Sequence, residues 1–115
     1  VDVFDNFLYS LIFLNTSPYT DQERRDYINY IGKEEKAALA LAIEYGADKI
    51  AKELAQSELV DVNLKDKYGR TPIFDAVEKN KEEIVKELLK RKDLDLDIVD
   101  NHGESILFFV LIAFD

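Results

Sequence analysis

At 115 residues with 47% apolar content, the chain is expected to form one small domain around a buried core. A formal net charge of −9 and a pI near 4.6 argue against nonspecific nucleic-acid binding, which needs a basic surface to release counterions. The absence of cysteine excludes disulfides and thiolate metal sites.

The N-terminal segment, 1–31, predicts two antiparallel helices. Val3, Phe4, Phe7, Leu8, Leu11 and Ile12 share a helical apolar face, and Asn15-Thr16-Ser17-Pro18 breaks it. Thr20 with Glu23 has capping-box spacing and starts a helix toward Ile31, with Tyr27, Ile28, Tyr30 and Ile31 as its buried side. A helix pair follows at Glu35–Tyr45 and Asp48–Gln56, with Gly46 suited to the left-handed conformation that ends a helix. A second pair is expected at Thr71–Lys79 and Lys81–Arg91. Thr71 offers a capping hydroxyl, and Pro72 suits the first helical position because its missing N–H would be unpaired there anyway. Asn80 with Glu83 has capping-box spacing, and Glu82–Lys86 and Glu87–Arg91 are i,i+4 pairs in the favoured order. Ile73, Ala76, Val77, Ile84, Val85, Leu88 and Leu89 are the expected core. The last helix, Ile106–Phe114, is apolar all round and demands burial on several sides. Cover is expected from further chain, with a dimer as the alternative. Neither apolar run, at 7–14 or 106–114, approaches the ~20 residues a membrane-spanning helix needs, so no membrane partner is expected.

The segment from Asp66 to Ala76 reads D-K-Y-G-R-T-P-I-F-D-A, a turn followed by Thr-Pro and an apolar helix pattern. Sliding the chain against itself by 34 residues places Ala42 on Ala76, Glu44 on Glu78, Ile50 on Ile84 and Leu54 on Leu88. The same offset places Asp66 on Asp100, Gly69 on Gly103, Ile73 on Leu107 and Phe74 on Phe108. On these residues the chain resembles the ankyrin-repeat family, whose units of about 33 residues combine a turn, T-P-L-H-x-A and two helices. The resemblance implies an all-α solenoid of stacked helix–turn–helix units with short hairpin-like linkers. Its parts would be an N-terminal cap or degenerate repeat at 1–31, repeats at 32–65 and 66–99, and an incomplete third repeat or cap helix at 100–115. The chain departs from the family pattern at Ala37-Ala38, which replaces Thr-Pro in the first unit, and at Ser105-Ile106 in the third. Phe74 and Phe108 stand where the family has a histidine that links repeats by hydrogen bonds, so apolar packing is expected there instead.

The resemblance implies protein–protein recognition without cofactor and without catalysis, through the hairpin tips and the exposed faces of the first helices. Carried over unit by unit, the partner-binding strip would comprise Lys33, Lys36, Glu44 and Tyr45, then Lys65, Lys67, Tyr68, Arg70, Glu78 and Lys79, then Asn101, His102 and Glu104. It reads as locally basic with two tyrosines, suited to an acidic or phosphorylated segment. Two other functions remain open: a regulatory or targeting segment of a larger enzyme or effector, and a module that self-associates through its apolar C-terminal helix.

Other chemistry is weaker. Asp93, Asp95, Asp97 and Glu104 match four positions of an EF-hand loop, but Ile98 stands where its sharp turn needs glycine, so a solvated acidic linker is expected. His102 is the single histidine and has no spaced serine or acid to form a triad. The four glycines are too scattered for a phosphate loop. Asn15-Thr16-Ser17 fits a glycosylation sequon that arises easily by chance.

Overall fold

The computed structural model describes residues 19–33 and 35–113, and the side chains through Leu111. The helix proposed around Phe7 and the sequon lie outside these residues. The described helices are α1 (Asp21–Ile28), α2 (Ala38–Glu44), α3 (Asp48–Gln56), α4 (Pro72–Glu78), α5 (Glu82–Leu89) and α6 (Ile106–Ala113). The first helices of successive units, α2, α4 and α6, pack side by side, and the second helices α3 and α5 form a parallel layer behind them. This is the expected solenoid of helix–turn–helix units.

Local chemistry sets most of the boundaries. Thr20 and Glu23 form the full capping box: the Glu23 N–H donates to the Thr20 hydroxyl at 3.1 Å, and the Thr20 N–H donates to Glu23 Oε1 at 3.3 Å. Gly46 takes φ 75°, and Asn80, one repeat later, takes φ 57°. After each, an N–H reaches five residues back, Ala47 to the Ala42 carbonyl and Lys81 to the Ala76 carbonyl, both at 2.8 Å. The expected Asn80–Glu83 capping box is therefore absent. Asn80 closes α4 in the left-handed region, and Lys81 precedes α5 without a side-chain cap. Both i,i+4 pairs are likewise replaced by closer neighbours: Lys86 pairs with Glu83, and Lys90 pairs with Glu87.

α2 starts three residues later than expected, because Ala37-Ala38 lacks the Thr-Pro start signal. At α4 Pro72 takes the first helical position, but the Thr71 hydroxyl makes no capping bond and is buried without a partner. Phe74, in the place of the family's polar histidine, offers it no acceptor and packs edge-on against Phe109 at 5.4 Å.

The core runs unbroken through the stack, from Ile28 through Leu39, Leu41 and Ile43 to Leu54, Ile73, Phe74, Val77, Ile84, Leu88 and Ile106. Three residues expected inside are exposed: Tyr30 and Ile31, which follow the end of α1, and Leu89. Among the described residues, no helix is long and apolar enough to cross a membrane.

Candidate protein-interaction surface

Each hairpin tip is organised by an aspartate at its base. Asp66 Oδ1 accepts the N–H groups of Tyr68 and Arg70, at 2.8 and 3.1 Å. One repeat later, Asp100 Oδ1 accepts those of His102 and Glu104, both at 2.9 Å. These bonds hold the Asp100 carboxyl below the ordinary range against the burial that would raise it, and the Arg70 guanidinium assists them. Gly69 and Gly103 turn each tip with φ near 77° and 79°. In the first tip Glu35 holds the same position with φ 62°, although an L side chain disfavours that region.

The second and third tips are bound together through their backbones. The Asn101 N–H donates to the Tyr68 carbonyl at 2.9 Å, and Asn101 Nδ2 donates to the Lys67 carbonyl at 2.8 Å. A Cβ added at Gly69 would stand 2.5 Å from Asn101 Oδ1, so only glycine permits this approach.

Below the tips a column of ion pairs repeats with the chain. Lys36 Nζ lies 3.3 Å from Asp75, 3.7 Å from Asp66 and 3.9 Å from Glu44. Arg70, 34 residues on, lies 3.1 Å from Glu78 and 3.4 Å from Asp100, the counterparts of Glu44 and Asp66. Where Lys36 meets Asp75, Arg70 meets its counterpart Phe109, stacking over the ring at 4.7 Å from the centroid. Burial works against the Lys36 charge, yet Asp75, Glu44 and Asp66 together hold its pKa above the ordinary value. Burial also pushes Asp75 up to about 6 despite the opposing pull of Lys36, with Asp66 and Glu78 adding to the rise.

The residues of the expected strip thus divide in two. Lys36 and Arg70 are drawn into the column between units, and Glu44 and Glu78 pair with them while staying half exposed. Lys67 is exposed, pairs with Glu35 at 3.3 Å and lies 5.3 Å from the Tyr68 ring centroid. Asn101 is outward-facing but holds the second tip. Tyr45, Tyr68, His102, Lys33, Lys65 and Lys79 are exposed, and Glu104 is half-buried. Among the described residues, Lys33, Lys65 and Lys79 enter no ion pair.

A second ladder escaped the sequence reading. Asn29 Nδ2 donates to the Leu59 carbonyl at 2.9 Å, and Asn29 Oδ1 accepts from the Asp61 N–H at 2.8 Å. Asn63 repeats both bonds, to the Asp93 carbonyl at 2.7 Å and from the Asp95 N–H at 2.9 Å. The identity of positions 29 and 63 under the same 34-residue offset was its signal. Arg91, expected on an exposed helix face, instead donates to the carbonyls of Ala55, Ser57 and Val60, where the chain leaves α3. It also pairs with Asp93 at 2.7 Å, a bond that lowers the Asp93 pKa. Two of the acids in the linker therefore have partners within the protein: Asp93 in this pair, and Asp95, whose Oδ1 accepts the Asp97 N–H at 2.9 Å.

The ankyrin-repeat family model matches residues 6–109 in three copies. The chain belongs to the ankyrin-repeat family. No curated protein matches the sequence. Ankyrin repeats are generally protein–protein interaction modules and are typically non-catalytic.

Proposed function

We propose that this chain recognises a partner protein through its hairpin tips and the adjoining faces of α2 and α4. Contact is made by Tyr45, Lys65, Lys67, Tyr68, Lys79 and His102, with Lys33 and Asn101 at the margins. The observation that supports this reading is the fixed register of the tips. Asn101 ties the third tip to the backbone of the second, so Tyr68 and His102 extend from a surface that needs little ordering on binding. Tyrosines on such a surface give large contact area at small entropic cost. Lys36 and Arg70 support the surface from beneath and are not its contact residues. The exposed lysines suit an acidic or phosphorylated segment.

The test compares partner capture by wild-type chain and by the Tyr45→Ala/Tyr68→Ala variant, with mass-spectrometric identification. A partner held by wild type and lost by a variant with an unchanged thermal melt supports the reading. Retention of every partner by the variant refutes it.

A further inference from the structure

Within the recognition surface described above, on which this inference rests, we propose that the first hairpin tip is a seat for a carboxylate and takes an aspartate or glutamate side chain of the partner. The molecule shows the filled form of this seat twice. In the second tip Asp66 Oδ1 accepts the N–H groups of Tyr68 and Arg70, and in the third Asp100 Oδ1 accepts those of His102 and Glu104. Moved back by the 34-residue period, Asp66 becomes Gly32 and Arg70 becomes Lys36. Gly32 has no side chain, so the first tip supplies no acceptor from that position.

The turn itself is kept. The Glu35 N–H donates to the Gly32 carbonyl at 3.0 Å, as Gly69 does to Asp66 and Gly103 to Asp100, both at 3.0 Å. It is kept under strain, since Glu35 stands at φ 62° where the other tips use glycine. The second and third tips add a closing bond, from the Asp66 N–H to the Arg70 carbonyl and from the Asp100 N–H to the Glu104 carbonyl, each at 2.9 Å. Among the described residues, Gly32 and Lys36 make no such bond, and the Lys36 N–H has no acceptor. Glu35 does not fill the seat, because its carboxylate is drawn to Lys67 Nζ at 3.3 Å. Gly32 and Lys36 are half-buried, and the neighbouring Lys33 is exposed and enters no ion pair among the described residues. A carboxylate arriving here gains a charge-assisted bond from the backbone and the attraction of a nearby ammonium. The same turn holds a planar carboxylate in both other tips, so an aspartate or glutamate fits it better than a bulkier phosphate monoester.

The test selects short peptides from a random display library on the full 115-residue chain and measures their binding by fluorescence anisotropy. The selected peptides are expected to carry an aspartate or glutamate at one fixed position. Replacing that acid by its amide should weaken binding about tenfold. Gly32→Asp supplies the carboxylate from within. On this variant the acidic peptide should bind about tenfold more weakly than on wild type, and the amide replacement should change binding by less than twofold. Gly32→Asp should also raise the melting temperature, because it restores the bonds that Asp66 and Asp100 make in their tips. A second readout needs no variant: the acidic peptide, and not its amide, should shift the Lys36 N–H resonance downfield in the wild-type chain. Peptides with no fixed acid, failure to select any peptide, an amide replacement equally costly on wild type and Gly32→Asp, or an unmoved Lys36 resonance would each overturn the proposal. Selected peptides that still lose binding to Tyr45→Ala/Tyr68→Ala would leave recognition through the tips standing without this seat. Peptides indifferent to both variants would remove the two together.

Discussion

Lys36 and Arg70 occupy one position of the repeat, yet they close their rungs on different chemistry. Lys36 gathers three carboxylates, and one of them, Asp75, sits on a buried helix face. Arg70 gathers two carboxylates and an aromatic ring, which needs no compensating charge. An ammonium is a compact point charge that suits a cluster of acids, whereas a planar guanidinium can pair and stack at once. With its acids ionised, the first rung sets three carboxylates against one cation in a half-buried place, whereas the second sets two against one. Behind both rungs the second helices are built alike, with Leu54 and Leu88 fully buried one repeat apart.

The largest expected effect tests that likeness. Leu54→Ala and Leu88→Ala should each cost about 2–5 kcal/mol, because both leave a cavity in a closed layer. Chemical denaturation of the two variants should give similar losses. A loss at only one position would show that the units differ in their cores as well as in their rungs.

A smaller effect separates the rungs by pH. The folded-state pKa of Asp75, about 6, lies above the ordinary carboxylate value of 3.8. The fold therefore binds this proton more tightly than the unfolded chain does. The ionised form is a cost to stability above pH 6, and that cost is relieved as the pH falls from about 7 toward 4. The magnitude is on the order of 3 kcal/mol. Asp100 behaves in the opposite way. Its depressed pKa gives a contribution present above the ordinary carboxylate range and lost as the pH falls below it. Asp75→Asn should accordingly remove the rise in melting temperature between pH 7.5 and 5, leaving the loss at lower pH in place. Melts across this range that keep the wild-type slope would remove Asp75 as the source of the difference.

The smallest effect lies in the first tip. Glu35→Gly relieves a left-handed backbone at the position where Gly69 and Gly103 serve the other tips. It also loosens the unfolded chain and removes the exposed pair with Lys67. A net gain of roughly 0.5 kcal/mol is expected by denaturation, since relief of about 1–2 kcal/mol is partly offset by the entropy of glycine. A loss would mean that the Lys67 pair outweighs the strain.

The 34-residue period, the Thr20 capping box, the Gly46 stop and the Pro72 start were legible in the sequence, because each depends on a few neighbouring residues. The period also held the Asn29–Asn63 identity and the Lys36–Arg70 correspondence, although their meaning was not visible there. A lysine at a tip and a lysine in an ion column look the same along the chain. What separates them is which carboxylates the next unit brings within 4 Å, and that depends on stacking. Arg91 shows the same limit, since the three carbonyls it caps belong to the preceding unit. Leu89 shows it for the core: a residue with the right helical spacing is buried only where a neighbour covers it. The sequence by itself determined the repeat, its glycine turns and the helix ends marked by Thr20, Gly46 and Pro72, because these are governed by backbone preference and local hydrogen bonding. Only the tertiary structure decided which cations bind the stack together and which face outward, because burial and charge pairing are properties of neighbours distant in sequence.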